Sequence, residues 1–352
     1  MEAMPVLARI PKAELHVHFE GTITPDLRRT CAQRNGLEAD LDRFPLCGIG
    51  PVAGNGIVTP GTPPAEALRA FLSVYDASIA TIRTERDVYE IVMEHGRSRL
   101  ADNVVYSEVF FDPQAHVDRG VSFDELLSGL TAGVADSNAR YGLETALIMC
   151  FHRDRPADEA LEMLRLARRW REHIIGVGLD DNEIDGWTSA FRPVFDAARS
   201  EGYHLTSHCD CDLPNATADI RRCLDILRVE RIDHGIDVLY DEDLVADSIE
   251  RNICFTVCPT WRHGETAPRR LSALRTMLDR GLLVTVNSDD PGLFASGTLG
   301  PLMSRLIESE LFDSSDYYRL ARNSFIASWL ADDAKERYLK AVDAYALETR
   351  TG

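Results

Sequence analysis

The stretch ELHVHFEG, residues 14–21, decides how the rest of the chain is read. It is a short apolar run in which His16 and His18 stand two apart. In a β-strand, residues two apart project to the same face. Both imidazoles therefore leave the end of such a strand on one side, close enough to share a metal ion. An H-x-H pair occurs often by chance, so its meaning depends on what lies at the ends of the other strands.

Short β-branched runs recur at 14–18, 103–110, 145–151, 174–179, 204–208, 231–234, 253–258 and 282–287. Amphipathic stretches at 157–173, 189–202, 218–228 and 241–251 separate the later ones. Strand and helix in alternation imply a parallel sheet, and eight strands imply an α/β fold of the closed (β/α)8 TIM-barrel type. The whole chain, 1–352, is expected to form one such unit, a length that α/β barrels reach. A helical C-terminal extension follows from about residue 301. An extended insertion of loop and helix follows the first strand, and within it the Gly- and Pro-rich run at 48–64 cannot be regular structure. Connections of that length often form lids or binding loops.

Bulk composition bounds the function. The chain is 45% hydrophobic and 27% charged, as expected of a globular protein with a large core. Its formal charge of −19 argues against a nucleic-acid backbone or an anionic membrane as partner. The N-terminus MEAMPVLARIPK has no apolar signal core, and no run of about 18 apolar residues exists. The eight cysteines are scattered, with no pattern of a disulfide scaffold, and read as small buried hydrophobes in a reducing, cytoplasmic setting. The partner expected is a small molecule, and a homo-oligomer is left open.

In a barrel of this type, reactive groups come from the C-terminal ends of different strands. Besides His16 and His18, those ends carry His208, His234 in RIDHG, and Asp289 and Asp290 in NSDDP. Three histidines and a carboxylate arriving at one rim suit a divalent ion such as Zn2+, which in catalytic sites keeps a position open for water. His234 is then left over as a base or as a group that orients hydroxide.

PKAELHVHFEG, VVYSEVFFDPQ, GVGLDDNE, TSHC, RIDHG, TVCP, TVNSDDP and LARNSFIASWL occur in this order along almost the whole chain. In these motifs the sequence resembles the adenosine/adenine deaminase branch of the amidohydrolase superfamily. FFDPQ with RIDHG and NSDDP is closer to the adenine-type subgroup, and Phe110 stands where nucleoside enzymes carry an Arg. The resemblance implies a (β/α)8 barrel with one Zn2+ per chain, held by His16, His18, His208 and Asp289. It assigns His234 to the attacking hydroxide and Asp290 to a purine ring nitrogen, for hydrolytic deamination at C6 of adenine, an N6-substituted adenine or adenosine. Bound zinc, which lowers the pKa of water to about 7, agrees with that chemistry. Asp289 is able both to hold metal and to accept the water's proton.

The sequence departs from the family at strand five. Where the family has H-A-G-E, this chain has His208, Cys209, Asp210 and Cys211, so the proton donor's place holds a thiol. Three readings stand. Asp210 or Asp212 replaces the missing Glu; or Cys211 donates, or the enzyme acts on a different amino-heterocycle; or the chain is a weakly active or non-catalytic purine-binding relative. Sub-branches with an HCD-type motif are associated with N6-substituted adenines. Asp180, Asp181 and Asn182 precede Glu183 where small residues are usual, and Trp261 follows Cys258-Pro259. Glu20, Phe110, Glu183 and Trp261 are candidates for contact with substrate, although Glu20, Phe110 and Trp261 also read as rim packing. A Cys209-x-Cys211 zinc site lacks the further thiols that a closed shell needs. The cytidine-deaminase signature is absent.

Overall fold

The computed structural model describes residues 7–37, 64–209, 213–260, 266–294 and 296–351. Eight strands form one sheet in chain order: β1 (Lys12–His18), β2 (Val104–Phe111), β3 (Glu144–His152), β4 (Ile174–Asp180), β5 (His204–Cys209), β6 (Arg231–His234), β7 (Cys254–Val257) and β8 (Leu283–Val286). Every neighbouring pair is parallel. Each observed strand lies within two residues of the stretch expected from sequence, and β6 matches it at both ends. The fold is a (β/α)8 barrel.

The helices outside the ring follow their apolar spacing. In Ala157–Ala167 the buried residues are Ala160, Met163, Leu164 and Ala167, one stripe at helical spacing. In Trp187–Ser200 they are Trp187, Thr188, Phe191, Val194, Phe195 and Ala198. Phe123–Tyr141 begins at a capping box, Ser122 with Glu125, and stops at Gly142 in the left-handed region, φ 72°. Two expected helices end early. The one expected over 157–173 turns 3-10 at Arg168–Trp170. The one over 218–228 ends in a π turn, Cys223–Leu227, closed by Arg228 at φ 55°.

The long connection after β1 contains the helices Pro25–Asn35, Pro64–Ile79 and Glu85–Ala101. Residues 48–63 of its Gly/Pro-rich run lie outside the described residues. Three helices follow β8: Leu299–Glu308, Ser314–Ile326 and Asp332–Thr351. The second covers the seam between β1 and β8, where the Ala13 amide donates to Ser324 Oγ at 2.9 Å and Asn323 Nδ2 donates to the Val284 carbonyl at 2.9 Å. Trp329, just beyond it, plugs the barrel floor. Its amide donates to Glu108 Oε1 at 2.6 Å, and its ring lies 4.0 Å from the buried Arg231 guanidinium. Among the described residues, no helix is long and apolar enough to cross a membrane.

β1 and β8 share no continuous ladder, only a bridge between Val17 and Asp289. Side chains reinforce it. Asn287 Oδ1 accepts from the Leu15 amide at 2.9 Å. The Glu14 carboxylate accepts the Ser288 amide and hydroxyl at 3.1 and 2.5 Å and pairs with the buried Arg99. Removing one partner of a buried ion pair strands the other charge. Glu14→Ala should therefore lower the unfolding free energy by about 3–5 kcal/mol, read from urea denaturation.

Candidate active site

The C-terminal strand ends converge on one cavity of ≈ 490 Å³, part of it open to solvent. His18 from β1, His208 from β5, His234 from β6, and Asp289 and Asp290 after β8 line it, with Asp112 after β2 and Asp180 and Asp181 at β4. Leu68, Phe71, Leu72 and Tyr75, on the helix Pro64–Ile79, form its apolar side.

His16 Nε2 lies 3.2 Å from His208 Nε2 and 3.2 Å from Asp289 Oδ1. His18 Nε2 lies 3.1 Å from His208 Nε2 and 3.6 Å from Asp289 Oδ1. The opposite ring nitrogens fix what these atoms carry. His208 Nδ1 donates to the Leu179 carbonyl at 2.9 Å. Thr256 Oγ1 donates to Asp233 Oδ1 at 2.7 Å, so toward His16 Nδ1, 2.9 Å away, it can only accept. Both Nε2 atoms are then bare lone pairs facing each other, an arrangement that is repulsive without a cation between them. Nitrogens at about 2.1 Å from one divalent ion would stand about 3.2 Å apart at bond angles near 100°. The four groups fit one such ion, and Thr256, Asp233 and the Leu179 carbonyl hold the ligands in register.

Three rim residues have left-handed backbones without being glycine: Asp181 (φ 66°), His234 (φ 63°) and Asp289 (φ 63°). Such strain costs about 1–3 kcal/mol per residue and gathers where side chains must be aimed. The turn at His234 brings its ring within 4.6 Å of that of His16. Burial pushes the His234 imidazole well below its ordinary pKa, so it is neutral at pH 7. Burial would raise Asp289, but the imidazoles of His16, His234 and His18 packed around it outweigh burial and hold its carboxyl well below the usual carboxylate range. Asp180 is raised well above that range by burial and by the nearby Asp112 charge. His152 loses by burial but gains more from Asp112, Asp181 and Asp154, and is held at about 9.

The other candidates are placed as follows. Asp290 lines the cavity, in space that a side chain at position 21 would take: a Cβ on Gly21 would lie 1.9 Å from Asp290 Oδ1. Glu20 is buried behind the rim, where it accepts from the Asp112 amide (2.9 Å) and His116 Nε2 (2.8 Å), with Tyr75 Oη 3.3 Å away. Phe110 is buried beneath the imidazoles, its ring 5.1 Å from those of His16, His18 and His208. Glu183 pairs with Arg153 at 3.2 Å. Cys209 packs with its Sγ 3.6 Å from that of Cys223. Asp210, Cys211, Asp212 and Trp261 lie outside the described residues. Sequence reading passed over Thr256 and Asp233, which back His16, and gave no role to Asp112, Tyr75 or Arg153. Asp112 did stand in a position to be found, immediately after β2 at the rim.

Barrel, convergent ligands and open cavity define a metal-dependent hydrolase of the amidohydrolase kind. The adenosine deaminase family profile matches residues 11–345, and the chain belongs to that family of hydrolytic deaminases. It is 35% identical over 341 residues to an uncharacterized deaminase of Schizosaccharomyces pombe, covering 97% of both chains. It is 34% identical over 340 residues to an adenine deaminase of Psychrobacter cryohalolentis, covering 96% of this chain and 98% of that one. The crystal structure of adenine deaminase from Arthrobacter aurescens superimposes with a TM-score of 0.82 at 31% identity, over 96% of this chain and 99% of that one.

Asp289→Ala and His16→Ala proteins should lose the bound ion, measured by elemental analysis after gel filtration. Thr256→Val keeps all four ligands but removes the link to Asp233, and should weaken metal affinity about 10–100-fold in a chelator competition. Gly21→Ala displaces the Asp290 carboxyl without touching a ligand. It should retain metal while losing about 10²-fold in kcat/KM, the scale of an ångström-level misplacement.

Proposed function

We propose that the chain removes the amine from C6 of a purine base, adenine or an N6-substituted adenine, by hydrolysis, with one Zn2+ held by His16, His18, His208 and Asp289. The observation that carries this reading is the meeting of three imidazoles and a carboxylate in the cavity that also presents His234 and Asp290. Water and the amino-purine give the oxo-purine and the free amine. A zinc ion at this site supplies a Lewis acid and lowers the pKa of water toward neutrality.

The chain's own groups do the rest. His234, neutral through burial, accepts a hydrogen bond from the attacking water and orients it toward the ring carbon. Asp289 takes up the proton the water loses. Asp290 faces a purine ring nitrogen in the space that Gly21 leaves. A proton must also reach the ring nitrogen beside the reacting carbon, and Asp210, Asp212 and Cys211 stand where the family keeps that donor. The apolar face of Pro64–Ile79 keeps bulk water from the cavity. The adenine deaminase names of two relatives support the free base as substrate. Six free buried cysteines among the described residues fit a reducing, cytoplasmic compartment.

The test is turnover by zinc-loaded protein on adenine, N6-alkyl adenines, adenosine and other amino-heterocycles, followed by absorbance and by release of the amine. Adenine or an N6-alkyl adenine should be consumed fastest. A blank result across the panel, with purine binding retained, would sink the enzymatic reading in favour of a non-catalytic relative. Asp210→Asn or Asp212→Asn should lose about 10²–10⁴ in rate, and Cys211→Ser far less. The opposite ranking moves the donor role to the thiol.

A further inference from the structure

Across the mouth from His234, Asp289 and Asp290, the arc from β2 to β4 carries two carboxyls that the deamination step does not use. Asp112 and Asp180 are 2% and 6% exposed, and both line the cavity. Their ligand atoms and that of His18 all lie within 4.8 Å of one another. Asp112 Oδ2 accepts from Tyr75 Oη at 2.9 Å, and Asp180 Oδ2 lies 3.8 Å from His18 Nδ1, beyond hydrogen-bond reach. Asp112 Oδ1, Asp180 Oδ1 and His18 Nδ1 have no hydrogen-bond partner in the protein. Buried polar atoms are rarely left this way, and each one calls for an occupant.

A second metal ion is the poorer occupant. His18 would have to use both ring nitrogens as ligands and give up its remaining N–H. With Nε2 turned to the other ligands, Nδ1 carries the hydrogen. The unpartnered set is then a carboxyl pair, which can share one proton and still offer an acceptor oxygen, beside one donor. Its complement is a heterocycle edge on which a ring N–H lies beside a bare ring nitrogen, as N9–H lies beside N3 in a free purine.

We infer that Asp112 and Asp180 are specificity residues that bind the unsubstituted ring N–H of a free purine base, on the edge remote from the reacting carbon. The inference rests on the purine reading of the site above. A glycosylated or methylated ring nitrogen has no hydrogen to give, so it leaves that remaining acceptor oxygen buried and unsatisfied. Among the described residues, Arg153 is the one Lys or Arg lining the cavity. It is spent on the His208 and Asp181 carbonyls and on Glu183, so a sugar phosphate gains no cation there to offset that loss.

The experiment compares adenine with 9-methyladenine, which differ by one methyl on that nitrogen, in zinc-loaded full-length protein. Adenine should win by at least about 10²-fold in kcat/KM, as when a hydrogen-bonding site meets an analogue that lacks the group. Asp112→Asn and Asp180→Asn should each shrink that ratio about tenfold or more, mainly through KM for adenine, with zinc content unchanged. Equal use of the two substrates by wild type, or equal losses on both in the variants, overturns the inference. Calorimetric binding of purine against 9-methylpurine reads the same preference without turnover. If nothing is deaminated but purine still binds preferentially, the assignment of these carboxyls stands while the catalytic reading falls; equal binding removes the assignment.

Discussion

The tie between the first and last strands carries the rest of the structure. It consists of a backbone bridge in which the His18 amide donates to the Asp289 carbonyl at 3.0 Å and the Asp289 amide to the His16 carbonyl at 3.1 Å. The residues that close the ring are thus those whose side chains meet in the histidine–carboxylate cluster. A slip of one residue in this pairing would turn His16 and His18 to the opposite face and open the cluster. Glu14, Ser288, Asn287 and the overlying Ser314–Ile326 helix supply the register that a longer ladder would otherwise give. Closing the barrel and assembling the site are one event.

The same economy shapes the interior. Arg231 pairs with Glu108 at 2.5 Å and stands 3.4 Å from Asp233, while Trp329 caps Glu108 from the floor. Asp233 in turn accepts from Thr206 and Thr256, and Thr256 orients His16. A chain of buried charge therefore runs from the C-terminal extension through the barrel to a ligand. Each carboxylate in it has a donor or a cation beside it, the condition under which buried charges are tolerable. Arg231 Nε and Nη2 make no hydrogen bond, and the guanidinium lies over the Trp329 ring. The C-terminal helices belong to this chain as much as to the outer packing.

Much of this was legible in the sequence, for reasons that can be named. Strand positions follow from β-branched runs bounded by helical spacing. The convergence of His16, His18, His208, His234, Asp289 and Asp290 on one rim follows from a rule about where barrels keep reactive groups, together with the alternation of side chains along a strand. Choosing four of them as a ligand set comes from the family resemblance. Glu20 shows the limit. It sits two residues beyond His18 at the rim, yet His116 and the Asp112 amide draw it out of the cavity, and those partners are remote in sequence. Phe110 likewise lies under the cluster, because β2 turns that face inward. The pairing of Asp112 with Asp180 was hidden for the same reason: only the order of strands around the ring brings the ends of β2 and β4 together. The Ala218–Arg228 region broke its helical period without a Gly or Pro to announce it.

Charge balance joins the two halves of the cavity. Asp112, Asp180, Asp181, Asp289 and Asp290 line one space, and the lining cation Arg153 is committed to its own acceptors. Asp180 is already driven above the carboxylate range by burial and by Asp112, so the cavity can hold little more negative charge. A divalent ion at the histidine cluster is the natural counter-charge, and its field falls first on Asp289 and then, through His18, on the Asp112–Asp180 side. On the proposed reading, metal occupancy would be coupled to ligand affinity on the remote side through His18, whose Nε2 faces the histidine cluster and whose ring stands beside Asp180. An uncharged base that donates hydrogen suits such a space, whereas an anion would meet repulsion both there and from a chain of net charge −19.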